Sequence, residues 1–311
     1  EHATLSFRVA RFGHHRNANM LEEKDDRALE IEARMKAPLE WDSPENCKIL
    51  DLKETQYGET LRLIKVQPRK RIVKDTVHSI SRPRDDGGRD SIPASSQHHF
   101  FRLEPMCKAA SLLQDQSSVN DYLEIIRTRM KDTTSLVAVS VTSGRVIGTA
   151  ITRINSNSEK TNTYSRVQIL EGEVLHQIRH LKNALIARTN AYEWFGHDKY
   201  FRVYILCVHP SYHGKGIDVA LLDACVQVAI TLGMPAIGGI FTSGPGQSMA
   251  QAAGFRMLSE IRYGRWIVDD RVVFDDPGRG NYTAAFMGML IPLEEHSKNE
   301  QVSSVDAAAA E

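Results

Sequence analysis

The stretch Leu206-Cys-Val-His-Pro-Ser-Tyr-His-Gly-Lys-Gly-Ile217 constrains this chain more than any other. A strand that begins at Arg202 (Arg-Val-Tyr-Ile-Leu-Cys-Val208) stops at His209-Pro210. The backbone then turns through Gly214 and Gly216, and a helix begins that carries Leu221, Leu222, Cys225 and Val228 on one face. Glycines let main-chain N–H groups approach a ligand, and a helix N-terminus adds partial positive charge. Together they form an anion site suited to a pyrophosphate, with Lys215 able to add a mobile cation. The same segment also reads as a tight strand-to-helix connection and nothing more. Neither G-x-x-x-x-G-K-S/T nor G-x-G-x-x-G spacing is present.

The elements around it alternate in kind. A strand over Leu61, Ile64 and Val66 and a helix bearing Val73, Val77 and Ile80 are expected first. Arg82–Gln97, with Pro83, Gly87, Gly88 and Pro93, reads as a polar loop insertion. Ser118 caps a helix with apolar Val119, Tyr122, Leu123, Ile126 and Met130. Leu136–Val141 and Val146–Ile151 form a hairpin, and a helix carries Leu175, Ile178, Leu181 and Leu185. After the glycine turn come a strand over Ala236–Phe241, a short helix ending near Gly254-Phe255 and two final strands. This pattern predicts an α/β (α+β) domain with one sheet and helices against it. The expected boundaries are 1–58, a charged and disordered extension with one solvated helical stretch over Leu21–Met35; 59–293, the domain; and 294–311, a disordered tail.

Lysine plus arginine and aspartate plus glutamate both total 39, which disfavours a global attraction to nucleic acid or to an anionic membrane. No run of about 18 apolar residues predicts a membrane span. Cys47, Cys107, Cys207 and Cys225 form no C-x-x-C pair and read as free thiols of a cytoplasmic protein, without a structural metal. The chain opens Glu1-His2-Ala3-Thr4 without an initiator Met and is expected to be a fragment. Pro68-Arg-Lys-Arg71 reads as a solvated helical turn, and His14-His15 and His98-His99 lack a third ligand. Trp194, Phe195 and Tyr200 read as sheet cover, with an aromatic wall for a substrate as the other reading. Cys207 reads as packing rather than as a nucleophile.

The turn resembles motif A of the GNAT superfamily of N-acetyltransferases, whose pattern is R/Q-x-x-G-x-G/A after a strand ending V-x-P. Phe100-Phe101-Arg-Leu-Glu104-Pro105, the hairpin with Gly144-Arg145-Val146-Ile147-Gly148, and Ala253-Gly254-Phe255 are similar to insect arylalkylamine N-acetyltransferases of the dopamine-acetylating type. The resemblance covers about Glu59 to Leu293. It implies a mixed, mostly antiparallel sheet with helices on both faces. It also implies acetyl-CoA as acyl donor, lying along Leu206, Cys207 and Val208. The pyrophosphate would rest on the amides of His213, Gly214, Lys215, Gly216, Ile217 and Asp218.

Acetyl would pass to a small primary amine by direct attack, with Glu104 as the base. Phe100, Phe101 and Leu103 would desolvate it, and Val208 would offer an amide to the thioester carbonyl. Thr242 and Ser243, with Ser248, are the candidate hydroxyl groups before the late helix. Three positions depart from the family. His213 replaces Arg/Gln; Asp218 replaces Gly/Ala and either repels phosphate or only starts the helix; Gly246 replaces a serine. The loop insertion at 82–97 is a fourth departure, read as a loop beside the acceptor site or as a gene-model error. A pseudo-enzyme that keeps the fold without tight cofactor binding is the alternative. Acetylation of a protein or polyamine, which needs an acidic groove, is the third reading. Neither a nucleic acid nor a membrane is an expected partner, and the oligomeric state is open.

Overall fold

A computed structural model describes residues 39–65, 100–157 and 172–292. Eight strands form one sheet in the order β1-β2-β3-β4-β5-β6-β10-β7. They are β1 (Glu40–Trp41), β2 (Cys47–Asp51), β3 (Leu136–Ser140), β4 (Val146–Ser156), β5 (Lys199–Val208), β6 (Ala236–Phe241), β7 (Arg256–Arg262) and β10 (Thr283–Leu290). β8 (Ile267–Val268) and β9 (Arg271–Val272) make a separate small ribbon. Every neighbouring pair is antiparallel except β5 with β6. The mixed, mostly antiparallel sheet expected from the sequence is present.

The helices are α1 (Tyr57–Ile64), α2 (Phe100–Leu103), α3 (Pro105–Ala109), α4 (Gln116–Met130), α5 (Glu173–Thr189), α6 (Ala191–Phe195), α7 (Ile217–Thr231) and α8 (Gly244–Ala252). They divide the core in two. Val119, Ile126, Ile178, Leu181 and Leu185 of α4 and α5 bury against one sheet face. Leu221, Leu222, Cys225 and Val228 of α7 bury against the other. Both helix faces match the spacing expected of them. Phe195 and Tyr200 are core residues with ring centroids 5.3 Å apart, so the sheet-cover reading holds for them.

Three expectations are corrected. Leu61 and Ile64 lie on α1, not on a strand, because their spacing of three is helical and Thr60, Leu63 and Ile64 bury together. The sheet does not wait for residue 59: β2 pairs with β3 from Cys47↔Ser140 to Asp51↔Leu136. Cys47, Ile49 and Asp51 face inward by period-two alternation, and Asp51 accepts from the Trp41 indole at 3.1 Å. The cap of α4 is Asp115, whose Oδ1 accepts from Ser118 N at 3.2 Å and Oδ2 from Ser118 Oγ at 2.6 Å. The expected helices over Leu21–Met35 and Val73–Ile80, the segment 82–97 and the tail from 294 lie outside the described residues. Among the described residues, no helix is long and apolar enough to cross a membrane.

α5 has no side-chain cap of its own. Its orphan N–H groups are taken by α4 instead: Leu175 N donates to Ser118 Oγ (2.8 Å), Val174 N to Asp115 (3.3 Å) and Gly172 N to Asp121 (3.0 Å). This lock fixes α5, and with it Lys182, against the sheet. It requires backbone contact, since a Cβ on Gly172 would sit 2.3 Å from Ser118 Cα. Gly172→Ala is therefore expected to cost about 1–3 kcal/mol in urea unfolding through overpacking. A loss below a few tenths would show that the lock is not tight.

Candidate active site

The site originates in one extra residue. β4 and β5 pair in register from Gly148↔Val208 to Ile151↔Ile205, and again from Thr152↔Val203. Tyr204 has no opposite number, so β5 bulges there and bends. The parallel pairing of β5 with β6 ends at the same place, at Val203↔Gly239. Beyond it β6 stays with β10 through Ile240 and Phe241, while β5 stays with β4. At the apex a Cβ on Gly239 would come 2.8 Å from the Val203 carbonyl oxygen. A wedge opens in the middle of the sheet.

His209 N donates to Ile147 O at 2.7 Å, which makes that a hydrogen-bonded pair of the ladder. By alternation, Val208 and Leu206 turn their main-chain groups away from β4 and into the wedge. The cleft there measures about 430 Å³ and is lined by β5 from Val203 to Val208 and by Glu104, His213, Asp218, Thr242 and Ser243. Leu206, Cys207 and Val208, all expected at a cofactor strand, are thus on its wall.

At the end of β5 the chain turns over a short 3₁₀ segment, Pro210–Tyr212, into α7. Gly214 and Gly216 have φ of +74° and +73°, the left-handed region that other residues avoid. Gly216 occupies the N-cap position of α7 and offers no side-chain cap, so the first amides keep their donors for another partner. The Ile217 side chain is buried in the core and can contribute only its amide. Asp218 is exposed in the first turn, and Lys215 stands 4.9 Å from the Tyr212 ring centroid. His213 folds back: its Nε2 meets the Val208 carbonyl at 2.9 Å and closes off that one acceptor of the wedge.

Glu104 is the N-cap of α3, and its Oε2 accepts from Cys107 N at 2.7 Å. The residue is 6% exposed, and its Oε1 is buried with no partner among the described residues. Phe101 is buried with it, whereas Leu103 is largely exposed. The Ser243 hydroxyl is spent on structure, accepting from Gly246 N at 3.1 Å as the cap of α8. The Thr242 carbonyl accepts from Tyr263 Oη at 2.7 Å. At Gly246 a Cβ would come 2.8 Å from Ser243 Oγ, so the hydroxyl that caps the helix takes the space of a serine side chain.

Lys182, on the cleft wall, escaped the sequence reading. It donates to Tyr122 Oη at 3.2 Å. Burial pulls its pKa down most strongly, yet Tyr122, Glu104 and Cys107 together hold it above the ordinary value. The clue was a lysine set between Ile178, Leu181 and Leu185 on an apolar helix face. Among the described residues no group of three or more metal-ligating side chains converges.

No protein-family model matches this sequence, and no curated protein matches it. Among solved structures, the protein named arylalkylamine N-acetyltransferase 7 of the yellow fever mosquito Aedes aegypti superposes with a TM-score of 0.63. It is 18% identical over 82% of this chain and 96% of that one. Arylalkylamine N-acetyltransferase 2 of Aedes aegypti gives 0.58 at 19% identity, over 80% and 100%. A mosquito arylalkylamine N-acetyltransferase-like 5b gives 0.50 at 22% identity, over 55% and 81%. The chain has the GNAT fold, and within it the form seen in insect arylalkylamine N-acetyltransferases.

All four cysteines are free and buried. Burial pushes the thiols of Cys47, Cys107 and Cys225 up and raises Cys207 to about 12. Burial thus disfavours the reactive thiolate at all four, so a thiol-specific reagent is expected to label the native protein only as fast as it opens. All four should react once it is denatured. Rapid native labelling of Cys207 would show an activated thiol instead.

Proposed function

We propose that this protein is an acetyl-CoA-dependent N-acetyltransferase acting on a small primary amine of the arylalkylamine kind. One observation carries the reading: the wedge at Tyr204 turns the main chain of Leu206 and Val208 into a cleft that ends at the uncapped start of α7. A pantetheine arm can hydrogen-bond there as an added strand, and the pyrophosphate can rest on the amides from His213 to Asp218. The Val208 N–H is placed to polarise the thioester carbonyl. The three mosquito proteins of this fold are named for arylalkylamines, and an agmatine N-acetyltransferase also shares it at a TM-score of 0.50.

An alkylamine has a pKa of about 10, so it arrives mostly protonated at neutral pH. Glu104 Oε1, buried and without a hydrogen-bond partner among the described residues, takes that proton directly or through one water. The amine nitrogen then bonds the acetyl carbon, the C–S bond breaks, and the second proton shed by that nitrogen as it becomes an amide goes to the departing coenzyme A thiolate. Thr242 and Ser243 line the cleft without a hydroxyl committed to the reacting atoms, and they serve to shape the acceptor side. Asp218 favours a second reading, a GNAT-fold module that binds cofactor weakly, since it adds a carboxylate to the helix turn on whose amides phosphate would rest.

Calorimetric titration with acetyl-CoA decides between them: saturable binding supports the enzyme, and none at millimolar cofactor sinks it. Glu104→Gln should lower kcat by about 10²–10⁴-fold while leaving acetyl-CoA affinity intact, the loss usual for a general base. Asp218→Asn should tighten acetyl-CoA by a factor of about two to five, the size of a helix-terminus charge effect. Unchanged affinity would show that the carboxylate points away.

A further inference from the structure

Beside the cleft, and sharing Lys182, Val203, Tyr204 and Ile240 with it, lies a second pocket of about 240 Å³. Its charged lining is Arg129, Arg179, Lys182 and Arg202, with no carboxylate. Two guanidinium groups lie over the Tyr204 ring, Arg129 at 3.7 Å and Arg202 at 4.5 Å from its centroid. Arg202 is 8% exposed, and its buried Nε has no hydrogen-bond partner among the described residues. Among those residues none of the three arginines makes an ion pair. Burial, with Arg202 and Arg179 pushing the same way against the two tyrosines, holds Arg129 down to about 10.

Arg202 is buried with Arg129 and Arg179 half-buried beside it; like charges held together away from water are costly without an anion, and ring faces offset only part of that cost. The pocket sits at the opposite end of the cleft from the glycine turn. Arg202 and Val208 are six residues apart on β5, about 20 Å of strand, so a diphosphate on α7 does not reach it. Its neighbour on the cleft side is Glu104, whose charge is felt at Lys182. An anion-seeking pocket next to an amine-deprotonating carboxylate matches a molecule with a carboxylate at one end and an amine at the other.

Resting on the N-acetyltransferase reading, we infer that the pocket of Arg129, Arg179 and Arg202 seats a carboxylate of the substrate. The acceptor is then an aromatic amine that carries an acid group, as an amino acid does, and a bare amine or polyamine is disfavoured. The same carboxylate chemistry could instead arrive on the acyl chain of a dicarboxylic acyl-CoA.

The binding arm uses the full chain without cofactor. Indole-3-propionate, which has the carboxylate and no amine, is titrated against indole-3-propionamide by calorimetry. The acid is expected to bind tighter by about tenfold or more, the ratio one charge-assisted hydrogen bond supports. Arg202→Met should abolish the difference, with a melting curve to confirm folding; Arg179→Gln, at a half-buried helix position, repeats the test if that variant does not fold. Equal binding of acid and amide overturns the inference. The turnover arm compares tryptophan with tryptamine on acetyl-CoA, and acetyl-CoA with succinyl-CoA on tryptamine. A preference for the first acid places the carboxylate on the acceptor; a preference for the second places it on the acyl chain; preference in neither overturns the inference. No turnover with any pair, with the acid still bound selectively, would fell the acetyltransferase reading and leave the carboxylate pocket standing.

Discussion

Tyr204 is the residue on which the molecule turns. A sheet whose strands all stayed paired would have no interior site, because every central N–H and C=O would already be used. One unmatched residue in β5 changes that: the strand keeps its ladder with β4, loses the one with β6, and leaves polar main chain facing a gap. Each of the two cores sits on one face of the sheet and takes residues from both β5 and β6, so the strands stay joined by side-chain packing where their ladder stops. The bulge also moves the side-chain alternation by one. Tyr200 and Arg202 point to the α4–α5 face before it, while Ile205 and Cys207 point there after it.

That shift explains why the two ends of the cleft differ in charge. Upstream of the bulge the strand sends Arg202 and Tyr204 toward the helices that supply Arg129 and Arg179. Downstream, the same strand contributes apolar side chains and bare backbone, and the carboxylates are those of Glu104 and Asp218. The net charge of zero conceals this separation, which exists only once the chain is folded. A potential that matters for recognition is set by neighbours in space.

Periodicity reached the fold well because α4, α5, α7 and the β3–β4 hairpin bury one face each, which leaves a written pattern. It failed at the chain start, where β2 is five residues long and its alternation, Cys47-Lys-Ile-Leu-Asp51, puts a carboxylate at an inward position. Asp51 is stabilised there by donors that include the Trp41 indole and the Leu39 amide, and a partner distant in sequence leaves no local mark. At the site, the glycine turn was legible because left-handed φ demands glycine. The arginine pocket was not. Arg129 reads as an ordinary polar position of α4, and only the packing of α5 across it removes its water. Resemblance pointed to Glu104 and could not show that one of its oxygens caps α3 while the other is left over.

The end of the cleft at α7, where we propose the cofactor rests, is built from backbone more than from charge. His213, in the place of a phosphate-binding arginine, spends its ring nitrogen on the Val208 carbonyl. That bond ties the start of the turn to the end of the strand, so the amides beyond it are presented at a fixed angle to the wedge. Asp218 subtracts from the positive end of α7, and Lys215 is far enough out to rest on Tyr212. Attraction for a diphosphate then depends on amide donors whose direction is set in advance and whose number no side chain increases. Such a site would select on shape more than on charge, and in the reading proposed above discrimination among substrates falls to the opposite end, where Arg129 and Arg202 share a single ring and the Arg202 Nε is left over among the described residues.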